Sequence, residues 1–196
     1  MNKYYLILMI LFLQACSEKK ATPRNFDFTP ILKNGTCVHD NLSGLDWEVK
    51  TTTPGLHNME NTYSWYAPSE PHNELDYRGL ANGGQCQGSA CDIFEFVQAV
   101  NKEVFCGFSD WRLPSKEEFF SISDLSLITT PPTLDIKSFP NTKTAEYWTG
   151  FDYSFQYNAA WAWNFKYGHD RVDWKKNAKF VRLLRGQLNK KKKKND

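Results

Sequence analysis

The chain of 196 residues is 41% hydrophobic and 15% aromatic, with 24 Lys and Arg against 22 Asp and Glu. This composition fits one globular domain with a single core and excludes a low-complexity or purely charged chain. The formal net charge of +2 comes from the ends: the lysines at 190–194 with Asp196 add four positive charges net and Lys3 adds one, so the stretch between them stands at about −3, a balance that excludes a nucleic-acid-binding body.

Lys3 and an unbroken apolar run of eight residues, 6–13, open the chain and lead into Leu13-Gln14-Ala15-Cys16. A spanning helix needs about 20 apolar residues, so the pattern reads instead as a secretion signal over residues 1–15. A small residue directly before a cysteine makes the junction resemble a lipoprotein cleavage site, with Cys16 lipidated and the membrane as its partner. Ser17, in place of an aspartate, resembles lipoproteins sent to the outer membrane; the expected location is therefore the bacterial cell envelope. Residues 16–30 are polar, contain Pro23 and Pro30 and read as a tether, with residues 31–187 as the folded domain. Residues 188–196 read as a basic, disordered tail, either solvated or drawn to anionic polymers such as membrane phosphates.

Residues 37–49 are expected to form a strand and turn, with Asn41 and Gly44 as turn residues. Residues 51–91 are rich in Gly, Pro, Asn and Ser without a sustained period and read as a long irregular insertion. Asp92 and Glu95 have capping-box spacing, and Ile93, Phe96, Val97 and Val100 form an apolar stripe, which predicts a helix over 92–103. With Cys16 lipidated, four cysteines remain, an even set that implies two disulfides in an exported chain. The helix would hold Cys91 and Cys106 about 17 Å apart at its opposite ends, against the ~6 Å a disulfide allows. That pairing is disfavoured, and the easiest solution joins Cys86 to Cys91 and Cys37 to Cys106. A zinc site is not favoured, because Cys-x4-Cys lacks the usual close pairs.

Ser109-Asp110-Trp111-Arg112-Leu113-Pro114-Ser115-Lys116-Glu117-Glu118-Phe119 follows. Leu113 precedes a proline and is pushed to extended backbone, Ser115 and Glu118 have capping-box spacing, and Trp111 is large enough to anchor a core. A second helix is predicted over 115–123, which makes this segment scaffold. Glu118 is then committed to the cap, and adjacent helix residues point apart, so Glu117 and Glu118 do not read as a catalytic pair. Short strands are expected at 146–151, 159–167, 171–175 and 180–185, with Tyr167-Gly168-His169-Asp170 as a hairpin turn. Helices followed by an antiparallel sheet argue for an α+β domain.

The segments Asp40-Asn41-Leu42-Ser43-Gly44-Leu45-Asp46-Trp47-Glu48-Val49-Lys50, Arg112-Leu113-Pro114-Ser115, Phe139-Pro140-Asn141-Thr142, Tyr147-Trp148-Thr149, Asn164-Phe165 and Val181-Arg182-Leu183-Leu184-Arg185-Gly186 together resemble the Lcl C-terminal domain family. The resemblance runs over roughly residues 35–187. The family is named after a bacterial collagen-like adhesin, which implies binding to host or matrix polysaccharide, anionic glycans in particular. Two of these segments are also similar, more distantly, to the formylglycine-generating enzyme group, which implies a C-type-lectin-like fold with two helices, short antiparallel strands and long irregular loops. That group's activity needs a late pair of redox-active cysteines, and here no cysteine follows Cys106. The calcium motifs of C-type lectins are missing as well, since no acidic residue follows Trp163-Asn164. No cofactor or metal is expected, and calcium is unsupported.

Enzyme signals are poor: there is no His-Glu-x-x-His, no G-x-S-x-G and no phosphate-cradling glycine loop. His39, His57, His72 and His169 are scattered through turns and loops and read as surface residues. An active site would need a pocket converging on several of His57, His72, Asp76 and Arg78. The positive signal is aromatic, because eleven of residues 147–174 are Phe, Tyr or Trp. Trp161, Trp163 and Phe165 alternate on one strand face, with Ala160, Ala162 and Asn164 on the other; Trp163 and Phe165 read as core. The loop Asp152-Tyr153-Ser154-Phe155-Gln156-Tyr157-Asn158 mixes rings with amides and an acid. That blend suits sugars, whose C–H faces stack on rings while hydroxyls take hydrogen bonds. Candidate ligand-binding residues are Tyr153, Tyr157 and Trp161 for stacking and Asp152, Asn158, Arg171 and Asp173 for polar contacts. Arg171 and the lysine tail would act only on an anionic ligand. The expected function is non-catalytic glycan binding at the envelope; the alternative is a scaffold lipoprotein whose aromatic loops contact an envelope protein.

Overall fold

The computed structural model describes residues 21–33, 35–70 and 77–188. The signal segment, Cys16, His72, Asp76 and the lysine tail lie outside the described residues. In chain order the elements are β1 (Phe28–Pro30), β2 (Cys37–Asp40), β3 (Leu45–Glu48), β4 (Tyr63–Ser64), α1 (Ile93–Lys102), α2 (Lys116–Ser121), β5 (Glu146–Asp152), β6 (Ala159–Asn164), β7 (His169–Trp174), β8 (Ala178–Lys179) and β9 (Leu184–Arg185). Three antiparallel sheets, β1-β2-β3-β9, β4-β8 and β5-β6-β7, accompany the two helices, so the domain is α+β.

Both helices begin where capping chemistry starts them. The Asp92 carboxylate accepts from Glu95 N at 3.0 Å and opens α1, whose Ile93, Phe96 and Val100 are buried. Ser115 opens α2 with a full reciprocal box: its hydroxyl accepts from Glu118 N and the Glu118 carboxylate accepts from Ser115 N. Trp111 is buried as expected and donates from Nε1 to Phe105 O at 2.9 Å. Both expected disulfides are present, with Cα separations of 6.6 Å for Cys37–Cys106 and 5.4 Å for Cys86–Cys91.

Strand β6 lies between two cores, which accounts for its alternating sequence. Ala160 and Ala162 pack with Trp65, Phe96 and Trp148 on one side. Trp163 and Phe165 pack with Trp47, Phe119 and Tyr147 on the other. The two small alanines let the large rings of the first core reach the strand backbone, while the second face supplies its own bulk. Gly168, at φ +68°, turns the chain from β6 into β7, a conformation open to glycine at little cost.

Three expectations need correction. Residues 28–30, read as tether, form β1 on the edge of the first sheet, and Arg24 Nη1 donates to the carbonyls of Ser121 and Ser123 at 3.1 and 3.0 Å. Phe26 and Phe28 stack at 5.4 Å, and Phe28 meets Phe139 edge-on at 5.1 Å, so apolar rings draw this polar stretch onto the body. The strand expected over 180–185 is regular only at Leu184–Arg185. The preceding residues divide their hydrogen bonds: Phe180 O accepts from Trp148 N, Leu183 O from Glu48 N, and Leu183 N donates to the Glu48 carboxylate. Finally, His57 is not a surface residue; its side chain is only 14% exposed.

Candidate functional site

The segments that carry the family resemblance meet in space. Trp47 lies opposite Leu184 in the β3–β9 register, and Arg112 and Leu184 exchange backbone hydrogen bonds of 2.8 and 3.0 Å. The Arg112 guanidinium makes a bidentate pair with Glu118, at 2.8 and 2.6 Å, and Nη2 also donates to Gly186 O at 2.9 Å. One carboxylate thus caps α2 and orients an arginine in the fork geometry that suits it. Arg185 binds Asp110 at 2.6 Å and Asp46, with its guanidinium 3.7 Å from the Phe108 ring centre.

Beneath this junction lies a buried charge network. Glu48 is fully buried, and its Oε1 accepts from Lys50 Nζ and is paired with His57 Nδ1, both at 2.7 Å, while Oε2 accepts from Leu183 N at 2.9 Å. His57 Nε2 reaches Glu103 at 2.5 Å and the ring stacks on Phe105 at 3.9 Å. Buried Arg182 donates to Glu48 O at 2.9 Å and to Thr142 Oγ1 at 2.7 Å. Burial pushes the Glu48 carboxyl up, but Lys50 and His57 outweigh it and hold it down at about 2. Burial likewise pulls His57 down, and its bonds to the two carboxylates more than offset this, so its pKa stands above the ordinary value. This set is a structural clasp on β3 rather than an open site.

The open site lies where the Leu113–Pro114 loop crosses the edge of β5. Gly150 N donates to Pro114 O at 2.9 Å, and a Cβ at Gly150 would stand 3.2 Å from Leu113 Cβ, so a side chain here would press the Leu113 loop outward by a few tenths of an ångström. Beside this crossing is a groove of about 840 Å³, walled by Trp65 to Glu70, by Ile93, Phe94 and Val97 of α1, by Arg112 to Leu113 and by Gly150 to Asp152. An adjoining cleft of about 230 Å³ is walled by Lys116, Glu117, Thr149 and Trp161 and shares Phe151 and Asp152 with the groove. Phe151 is 56% exposed and Phe94 36% exposed, both large rings facing water on a concave surface. The Trp65 indole donates to Thr149 O at 3.1 Å and fixes the groove floor to β5.

The structure divides the residues proposed from sequence. Asp152 lines both depressions and Trp161 lines the cleft. Tyr153 meets Trp161 edge-on at 5.1 Å, and Lys116 Nζ lies 4.0 Å from the Trp161 ring centre, so an ammonium already covers that indole. Tyr157 packs on Tyr77 at 4.3 Å, and Asn158 O accepts from Lys175 N. Arg171 and Asp173 pair in register with Ala162 and Ala160, on the sheet face opposite Trp161. There Arg171 lies 3.7 Å from Glu146, and Asp173 accepts from Lys179 at 2.5 Å and from Asn177 at 2.9 Å.

Phe94, Phe151, Arg112 and Leu113 are absent from the set chosen by sequence. Phe94 carried a usable signal, since it falls off the Ile93-Phe96-Val97-Val100 stripe and so points away from the core. The segment read as scaffold, 109–119, is also a wall of the site. His57 and Arg78 do not converge; Arg78 Nε donates to Glu70 O at 2.9 Å. Among the described residues, no group of three His, Cys, Asp or Glu is placed to hold a metal, and no helix is long and apolar enough to cross a membrane.

Short antiparallel strands, two capped helices and an open aromatic groove define an α+β domain built to present a concave surface. Residues 36–185 match the Lcl C-terminal domain, and the chain belongs to that family. No curated protein and no solved structure matches the chain.

Proposed function

We propose that the protein is a non-catalytic, lipid-anchored binding domain of the bacterial cell envelope that recognises polysaccharide through the groove beside β5. The observation that carries this reading is the exposure of Phe94 and Phe151 on one concave surface next to Asp152, Lys116 and Glu117. Rings in that setting stack on the C–H faces of sugars, and the flanking polar groups meet hydroxyls. Membership of the Lcl C-terminal domain family supports an adhesin-like binding role. A C-type-lectin-like arrangement is part of the same proposal, supported by short strands, two helices and long loops strapped by a disulfide. No cofactor or metal enters the binding.

Glycan-array binding should fall by about tenfold or more in Phe151→Ala, as expected for loss of a central aromatic anchor. Arg171→Ala, on the opposite sheet face, should leave it unchanged. Equal loss in both variants, or in neither, would place the glycan elsewhere. Outer-membrane anchoring through Cys16 is tested separately: Cys16→Ser should release the protein from membranes, and unchanged membrane association would refute the anchor. A second reading, contact with an envelope protein, is favoured by Phe155, which is 87% exposed at the tip of the β5–β6 loop. Under that reading Phe155→Ala, rather than Phe151→Ala, would abolish retention of a stoichiometric partner.

A further inference from the structure

Taking the groove as the glycan site, we infer that its ligand is an uncharged, hydroxyl-rich glycan and that the groove discriminates against acidic ones. The inference deepens the proposed function and rests on it.

The charges around the groove decide the matter. Of its two cations, Arg112 spends both terminal nitrogens on Glu118, Leu113 O and Gly186 O. Lys116 lies 3.3 Å from Asp170 and over the Trp161 ring. A sulfate or uronate entering here could reach the terminal nitrogens of Arg112 only by displacing an existing partner, and at Lys116 it would share the ammonium with Asp170. On the other side stand Asp152 and Glu117, with Glu70 at the rim, and none of these three has an ion-pair partner among the described residues. The walls therefore carry unbalanced negative charge, and because these three carboxylates are exposed their repulsion of an acidic ligand is strongest at low salt.

The same carboxylates suit a neutral glycan. Each ionised carboxylate is an acceptor only, and short charge-assisted bonds from sugar hydroxyls satisfy it without any cation. Phe151 and Phe94 supply the apolar platform. Arg171, the cation that would have favoured an acidic ligand, faces away from the cleft and stands by Glu146.

The test titrates the full protein with cellohexaose, maltohexaose, N-acetylchitohexaose and a heparin hexasaccharide, at about 50 mM and about 500 mM NaCl. At least one neutral hexasaccharide is expected to bind, with an affinity that changes by less than about twofold between the two salt concentrations, as befits a ligand that carries no charge. Phe151→Ala should lower that affinity by about tenfold or more, and Asp152→Lys should raise heparin binding. Because both side chains are exposed, the variants retain the fold, which circular dichroism verifies. Salt-sensitive heparin binding that Phe151→Ala abolishes would overturn the neutral-ligand inference while leaving the groove as a glycan site. Failure of all four hexasaccharides to bind would instead remove the glycan reading itself.

Discussion

Glu48→Ala is expected to lower the stability of the fold by roughly 3–5 kcal/mol, the cost of stranding buried charge by removing one partner. Lys50 and Arg182 are buried beside Glu48, and Lys50 would lose its only carboxylate partner among the described residues. Leu183 N would lose its acceptor too, loosening the β3–β9 junction that Arg112 shares. Urea denaturation measures the effect, and a loss under about 1 kcal/mol, the scale of an exposed ion pair, would contradict it. The pH dependence has a definite sign. The folded Glu48 carboxyl titrates at about 2, below its ordinary 4.5, so its contribution is complete above pH 4.5 and is lost as pH falls toward 2. His57 is raised above 6.5, so its contribution is complete below pH 6.5 and is lost as pH rises through its folded value. The two overlap between pH 4.5 and 6.5, where the network is strongest. Burial lowers Lys50, which acts in the opposite sense at alkaline pH. The acid limb of the wild-type profile should flatten in Glu48→Ala.

Removing the Cys37–Cys106 bridge is the second large effect. It closes a loop with a sequence separation of 69, against 5 for Cys86–Cys91. Chain entropy assigns the long loop about 4 kcal/mol and the short one about 2. Packing separates the bridges less, since each joins a buried cysteine, Cys37 or Cys91, to one that flanks the first core, Cys106 or Cys86. The Cys37–Cys106 bridge also ties β2 to the segment after α1 and keeps Phe105 under His57. The double variant Cys37→Ala/Cys106→Ala should therefore melt well below Cys86→Ala/Cys91→Ala. The reverse order would show that the loop 86–91 carries more of the fold than its length implies.

Local chemistry was legible in the sequence wherever a few neighbouring residues decide the outcome. Ser115 and Glu118 make the cap their spacing predicts, and β6 alternates as written, with Trp163 and Phe165 in the core. Features set by distant partners were not legible. Nothing near His57 announces Glu48 and Glu103, which reach it from β3 and from the end of α1. The polar stretch before Pro30 gives no sign that Phe28 will find Phe139. Grouping Arg171 and Asp173 with Trp161 required a register: Trp161 pairs with Val172, and a shift of one residue reverses every face. The groove itself arises where the Leu113 loop crosses Gly150, a contact between segments far apart in the chain.

A crystal structure of the protein with a neutral hexasaccharide that it binds tests the site most directly. The expected result is a sugar ring stacked on Phe151, with hydroxyls donating to the Asp152 carboxylate, in the groove between α1 and the edge of β5. Sugar bound only at the loop 153–158 or on the Arg171 face would contradict it.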